Sequence, residues 1–147
     1  MRTRAEIEGY AARLAEWFGE RIAGLLCFGS VARGTGEQDA SDIDLIAVID
    51  GLPPLGERLL LRVDFAWDCP SRVDGVWMAP DELAGHVRAK AGYMLDALDE
   101  GVILFDREGL LERTRTALGE ELARRGVVKT ERWWSFPLRL GETIELG

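Results

Sequence analysis

The chain has 147 residues, of which 47% are apolar and 30% charged, and its formal net charge is -8. This length and balance are typical of one globular domain with its own core, and no apolar run approaches the roughly 20 residues that span a bilayer. The acidic charge disfavours nucleic acid as a partner, because proteins that bind nucleic acid carry basic stripes.

The N-terminal segment predicts a helix. Residues 1–6 lack the apolar core of a secretory signal, so a cytoplasmic location is expected. Residues 4–19 carry apolar side chains at i, i+3, i+4, i+7, i+8 and i+11, which predicts an amphipathic helix with one buried face. These side chains are Ile7, Tyr10, Ala11, Leu14, Ala15 and Phe18.

A β-rich run from Ile22 to Phe28 predicts a buried strand that ends in the turn Gly29-Ser30. Glycine lets backbone N–H groups approach a phosphate closely, and the serine hydroxyl adds a donor. Arg33 follows shortly after and has two interpretations. It either neutralises charge near the phosphates or is a solvated loop residue.

Two carboxylates precede the next apolar run. Asp42 and Asp44 lie two residues apart and lead into the predicted strand 45–49. Side chains alternate along a strand, so both carboxylates project to one side, about 7 Å apart. Like charges at the edge of a sheet need a compensating cation, and Mg²⁺ prefers such oxygen ligands. A phosphate-binding turn beside this pair describes a nucleotidyl-transfer site.

The remaining chain alternates helices and strands. A helix is predicted over 55–67, with Leu59, Leu60, Val63 and Trp67 facing inward. It is followed by a strand over 72–78, a single helix over 80–99, an edge strand over 102–106 and a helix over 108–125. The predicted fold is therefore α/β (α+β), with a small mixed sheet of about four strands flanked by helices.

Residues 1–126 are expected to form the main domain, and residues 127–147 a C-terminal extension. The extension holds three aromatic residues in four positions, Trp133, Trp134 and Phe136. They either cover the helices of their own domain or form a patch that faces a partner. Cys27 and Cys69 are expected to be buried free thiols, and the predicted edge strand is compatible with a homodimer.

The motifs Gly29-Ser30-Val31-Ala32-Arg33-Gly34 and Ser41-Asp42-Ile43-Asp44-Leu45 resemble the signature of the DNA polymerase β-like nucleotidyltransferase superfamily. Within it, they are similar to the small stand-alone minimal nucleotidyltransferases. This resemblance, which covers roughly residues 22–106, implies a nucleotidyltransferase fold and activity. It also implies a nucleoside triphosphate donor, such as ATP, whose β- and γ-phosphates are oriented by Gly29 and Ser30.

The resemblance implies a third carboxylate on a neighbouring strand, and it implies two Mg²⁺ ions held by Asp42, Asp44 and this third residue. Asp74, between Val73 and Gly75-Val76, fits that place. Its rival is Asp64. Asp74 is preferred because a helix must cross between parallel neighbours, and the segment 55–67, which contains Asp64, is the helix available for the crossing. Asp74 is then a metal ligand and the base for an acceptor hydroxyl.

The sequence leaves the acceptor open. Minimal nucleotidyltransferases of this kind are often paired with a small helical HEPN-type protein, and the resemblance implies AMP transfer to such a partner in a toxin–antitoxin pair. One alternative is a small-molecule nucleotidyltransferase that modifies aminoglycoside-like compounds. An alternative of another class is a non-catalytic, antitoxin-like binding module.

Overall fold

The computed structural model describes residues 2–28, 43–130 and 134–137. In these residues, five α-helices and six strands alternate along the chain. In chain order they are α1 (Arg2–Phe18), β1 (Ile22–Phe28), β2 (Ile43–Ile49), α2 (Leu55–Asp68), β3 (Val73–Met78), α3 (Pro80–Arg88), α4 (Gly92–Glu100), β4 (Val102–Asp106), α5 (Leu110–Arg124), β5 (Val128–Lys129) and β6 (Trp134–Ser135).

Four strands form one mixed sheet in the order β3-β2-β1-β4. β1 pairs antiparallel with both β2 and β4, and β2 pairs parallel with β3. The parallel pair requires a crossover, which α2 provides. The predicted mixed four-stranded sheet is confirmed, as is the position of β4 at its edge.

The sheet separates two hydrophobic cores, and the alternation of side chains along each strand assigns residues to one core or the other. The N-terminal core lies under α1 and α2, and the C-terminal core lies under α3, α4 and α5. The N-terminal core includes Leu14, Phe18, Leu45, Ala47, Phe65 and Trp77. The C-terminal core includes Leu26, Ile46, Val48, Met78, Leu83, Met94, Leu98, Leu111 and Leu118.

Aromatic side chains fill the N-terminal core around Phe65, which is 3% exposed. Its ring meets those of Tyr10, Trp17 and Trp77 edge to face at 5.2–5.3 Å. The Trp77 Nε1–H donates to the Tyr10 hydroxyl at 2.9 Å, so both buried polar groups are satisfied. These contacts fasten α1 and α2 to the edge strand β3.

The helix α2 does not bury the face that the sequence predicts. Leu59, Leu60, Val63 and Trp67 are 47–83% exposed, whereas Phe65 and Arg58 are buried. The Arg58 guanidinium donates to the Pro53 carbonyl oxygen and to the Glu82 carboxylate at 2.9–3.2 Å. Together with the aromatic contacts of Phe65, these bonds set the rotation of α2 about its axis. The prediction of an inward leucine face is wrong for this reason.

The segment predicted as a single helix over 80–99 is two helices. Lys90 takes a left-handed conformation with φ 58°, which ends the helical hydrogen-bond pattern between α3 and α4. Its ammonium group is only 7% exposed and donates to the Val87 and Arg88 carbonyl oxygens. An ion pair of 3.0 Å with Glu121 links this corner to α5. The apolar stripe continues across the break because both helices pack on the same core.

The last described residues pack on the main domain. Trp134 and Phe136 lie half-buried against the C-terminal core. The Trp134 Nε1–H donates to Asp96 at 2.9 Å, and Lys129 pairs with Asp99 and Glu100 at 2.9 and 2.7 Å. Trp133 lies outside the described residues.

Both cysteines, Cys27 and Cys69, are free; Cys27 is buried and Cys69 half-buried. Within the described part of the chain, no helix is long and apolar enough to cross a membrane.

Candidate active site

Asp44 and Asp74 lie side by side at one end of the parallel strand pair. The register of β2 and β3 pairs Asp44 directly with Asp74. Neighbouring strands lie about 4.8 Å apart, and residues in register on parallel strands project to the same face. The crossover through α2 therefore brings together two carboxylates that are 30 positions apart in the sequence.

Both carboxylates project on the face of the C-terminal core. Asp44 alternates with Ile46 and Val48, and Asp74 alternates with Val76 and Met78, all of which contact that core. Asp44 is half-buried and Asp74 is exposed, so the pair lies at the rim, between packed core and solvent.

The rival carboxylate, Asp64, lies elsewhere. It is exposed on α2, a helix that packs on the opposite face of the sheet through Phe65. Asp74 is therefore the strand neighbour of Asp44, and Asp64 is not. A hydrophobic-Asp-hydrophobic pattern occurs at both positions, and the strand register distinguishes them.

The end of β1 adjoins the pair, since Phe28 is in register with Asp44 on its other side. Four predicted site residues, Gly29, Ser30, Arg33 and Asp42, lie outside the described residues. Burial raises the pKa of the neighbouring Cys27 thiol, and the negative charge of Asp44 raises it further. This thiol is therefore protonated at neutral pH and adds no charge to the site.

The donor chemistry of the pair fits a divalent cation. Two carboxylates on adjacent strands concentrate negative charge, and carboxylate oxygen is the ligand that Mg²⁺ prefers. Among residues 2–28, 43–130 and 134–137, no group of three or more histidine, cysteine or acidic side chains is assembled as a metal cluster. The described residues thus include two of the three residues that the sequence predicts as metal ligands, Asp44 and Asp74.

A cavity of about 350 Å³ opens beside Asp74, between α2 and β3. Arg62 and Ser71 line it together with Asp74 and Tyr10. The Arg62 guanidinium donates to the Gly75 carbonyl oxygen and lies over the Trp77 ring. The sequence did not single out Arg62 or Ser71, because only the crossover brings them next to Asp74 and no motif includes them.

Known proteins resemble this chain in sequence pattern and in fold. Residues 7–78 match the family model of the nucleotidyltransferase domain. No curated protein sequence matches the chain. A toxin–antitoxin structure with AMP-PNP is similar at a TM-score of 0.51 and 20% identity, over 81% of this chain and 92% of that one. A structure of a tri-AMPylated Shewanella oneidensis HEPN toxin in complex with MNT antitoxin is similar at 0.50 and 17%, over 84% and 92%.

The matched segment runs from α1 to the end of β3 and so contains both Asp44 and Asp74. This segment, its sheet topology and the fold of its neighbours define the class: residues 7–78 form a nucleotidyltransferase domain. Two of the solved structures that share its fold are toxin–antitoxin structures, one of which contains an MNT antitoxin. The resemblance drawn from the Gly-Ser and Asp-x-Asp motifs is confirmed, as is the expectation of an enzyme.

Proposed function

We propose that the protein transfers AMP from ATP to a hydroxyl group of a partner protein, in a reaction that requires Mg²⁺. The observation that carries this proposal is the direct pairing of Asp44 with Asp74 in a nucleotidyltransferase domain. The AMP-PNP of one structural neighbour supports ATP as the donor.

Asp42, Asp44 and Asp74 would hold the metal. Their carboxylates are hard oxygen donors, and the described pair fits that role. When bound, Mg²⁺ neutralises the triphosphate charge and lowers the pKa of the acceptor hydroxyl. Gly29 and Ser30 would orient the β- and γ-phosphates through backbone N–H groups and the hydroxyl. Arg33 would add positive charge beside them.

Asp74 would take the proton of the acceptor hydroxyl, since it is the exposed member of the pair. The acceptor oxygen forms a bond to the α-phosphorus, and the bond from that phosphorus to the bridging oxygen of pyrophosphate breaks. The leaving pyrophosphate carries the bonding electrons away. The residues of this site mainly position the reactants and balance their charge.

A protein acceptor fits the surface better than a nucleic acid does. The net charge of -8 repels polyanions. One structural neighbour is a complex in which a HEPN toxin is tri-AMPylated, and this supports a HEPN-type acceptor. We therefore propose that the partner is a small helical protein of this type, in a toxin–antitoxin pair.

Label transfer from α-³²P-ATP tests the proposal. The purified protein is incubated with Mg²⁺ and with lysate or any co-purifying protein, beside an Asp44→Asn variant. We expect a labelled protein band that requires Mg²⁺ and disappears in the variant.

Each other outcome of this assay selects a different function. Labelled small molecules without labelled protein would support the alternative of a small-molecule nucleotidyltransferase. Absence of Mg²⁺-dependent ATP binding would contradict the enzymatic proposal and favour the binding module.

A further inference from the structure

The helix α2 presents an apolar surface to solvent. Five apolar side chains of this helix face outward, and we call them the α2 stripe: Leu55, Leu59, Leu60, Val63 and Trp67. Four of them are spaced four residues apart, so they follow one another along a single ridge of the helix. Their exposed fractions of 47–83% show that α2 packs on the sheet without using them.

The stripe is large for a surface that stays in water. Five such side chains expose on the order of 600 Å², whereas a standard protein interface buries about 800 Å² on each partner. Monomeric proteins rarely expose contiguous apolar patches beyond a few hundred Å². The α2 stripe can therefore supply most of one side of a protein interface.

The charges beside the stripe determine which partner fits it. At 100° per residue, Glu57, Asp64 and Asp68 lie along one border of the stripe, and Arg62 lies along the other. Asp68 is engaged by the Trp17 Nε1–H at 2.7 Å and by the Arg13 guanidinium at 3.6 Å, so Glu57 and Asp64 give this border its negative charge. The guanidinium of Arg62 is engaged by the Gly75 carbonyl oxygen and the Trp77 ring. An incoming protein therefore meets an apolar ridge with an acidic border.

A second copy of this chain fits that border poorly. In an antiparallel two-fold pair of α2 helices, each border meets the same border of the other copy, so acids would oppose acids. Each copy also carries a net charge of -8, and like charges repel across an interface. Lysine or arginine beside an apolar helix gives the complementary surface instead.

The stripe also ends at the same end of the sheet as the candidate active site, although α2 packs on the opposite face. α2 runs back along the sheet from the end of β2 to the start of β3, and Trp67 is the penultimate residue of α2. Asp74 is the second residue of β3. The end of the stripe with the largest and most exposed side chain, Trp67 at 83%, is therefore the end nearest the paired carboxylates.

We infer that the α2 stripe is the docking surface for a protein that presents an apolar helical face bordered by basic residues. Docking there holds the bound protein at the end of the sheet where Asp74 lies, on the edge strand β3. The inference rests on the proposed function in one respect, namely that the docked protein is the acceptor.

Two synthetic amphipathic peptides of about 18 residues, long enough to form helices, test the inference. One has leucine on one face and lysine elsewhere, and the other replaces lysine by glutamate. Binding is measured by fluorescence anisotropy. We expect the leucine–lysine peptide to bind the full chain at least tenfold more tightly than the leucine–glutamate peptide.

The double variant Leu59→Gln/Val63→Gln should weaken binding of the leucine–lysine peptide at least tenfold. The matched control is Leu104→Gln/Phe105→Gln on β4, where both side chains are 42–46% exposed, and it should bind as the unmodified chain does. Both variants should melt at the temperature of the unmodified chain, because they change exposed side chains. A separate variant, Trp67→Gln, should weaken binding in the same direction.

Equal binding of both peptides, or equal binding by the stripe variant and the control, would overturn the inference. A dimer in sedimentation equilibrium that Leu59→Gln/Val63→Gln dissociates would overturn it too, because the occupant would then be a second copy. The label-transfer assay separates this failure from failure of the proposed function. If Leu59→Gln/Val63→Gln still labels protein, only the inference of docking on α2 is refuted. If the peptides bind as expected but no protein is labelled, only the proposed transfer of AMP to a protein is refuted.

Discussion

The register of two parallel strands decides which carboxylate accompanies Asp44. Asp64 and Asp74 both lie among apolar residues, and their local sequences do not separate them. In the structure, Asp74 is in register with Asp44, whereas Asp64 lies on α2 across the sheet. We propose the catalytic role of Asp74 on the basis of this placement.

Replacement of Asp74 by asparagine is expected to lower AMP transfer at least 100-fold, because the amide can neither accept the hydroxyl proton nor hold the metal as well. Asp81→Asn is the matched control and should retain transfer within about threefold, since this exposed carboxylate on α3 lies outside both the paired carboxylates and the α2 stripe. Initial rates of label transfer at saturating Mg²⁺-ATP measure both. Full activity of Asp74→Asn would show that the third carboxylate is another residue.

Gly75 is required because Tyr10 occupies the space of its side chain. A Cβ atom at Gly75 would overlap the Tyr10 hydroxyl oxygen. Gly75→Ala should therefore lower the free energy of unfolding by about 2 kcal/mol. Tyr10→Phe should also destabilise the fold, because it leaves the Trp77 Nε1–H without its acceptor. In the double variant the total loss should be smaller than the sum of the two single losses, because the atom closest to the new Cβ is gone. Urea denaturation of both single variants and the double variant tests the coupling; strictly additive effects would contradict it.

At the scale of elements, one ion-paired contact connects the starts of α2 and α3. The Glu82 carboxylate accepts the backbone N–H of Ala79 at 2.8 Å and the Arg58 guanidinium at 2.9 Å. The Ala79 hydrogen bond, more than the nearby Arg58, holds the pKa of Glu82 below its ordinary value of 4.5. Glu82 thus both caps α3 and holds the buried arginine that orients α2.

Glu82→Ala should destabilise the fold by about 1–2 kcal/mol, since it removes the cap and leaves Arg58 without its carboxylate. Glu82→Gln should cost about half as much, because glutamine still caps the helix. The pKa is lower in the folded state, so the stabilisation is present above about pH 4.5 and is lost as pH falls through the folded-state value. Urea denaturation should therefore show a smaller difference in the free energy of unfolding between the unmodified protein and Glu82→Gln at pH 3 than at pH 7.

For the whole molecule, binding and stability are linked through the proposed site. A ligand that binds only the folded state stabilises it by RT ln(1 + [L]/Kd), about 2.7 kcal/mol at 100-fold excess over Kd. Mg²⁺-ATP should therefore raise the melting temperature by about 5–10 °C for a domain of this size. Asp44→Asn should abolish most of this rise, whereas Asp81→Asn, an exposed carboxylate on α3, should keep it. Differential scanning fluorimetry makes the comparison, and an undiminished rise in Asp44→Asn would contradict the metal site.

Local patterns were sufficient to predict most elements and the family. The apolar runs predicted β1 with the observed bounds and placed the other main strands and helices within a few residues, because periodicity reflects burial on one face or two. The Gly-Ser and Asp-x-Asp motifs identified the nucleotidyltransferase class before any geometry was known. These features are contiguous in the chain, so the sequence alone carries them.

The tertiary structure decided what depends on contacts between distant residues. Leu59 and Phe65 lie on different faces of one helix, and both faces are apolar, so periodicity could not say which face is buried. The bonds from Arg58 to Pro53 and Glu82, with the aromatic packing of Phe65, resolve that choice and leave the α2 stripe in solvent. The left-handed turn at Lys90 likewise carries an ion pair with Glu121, a contact between distant residues that local periodicity does not predict. Asp44 and Asp74 become neighbours only because α2 crosses between parallel strands in one register.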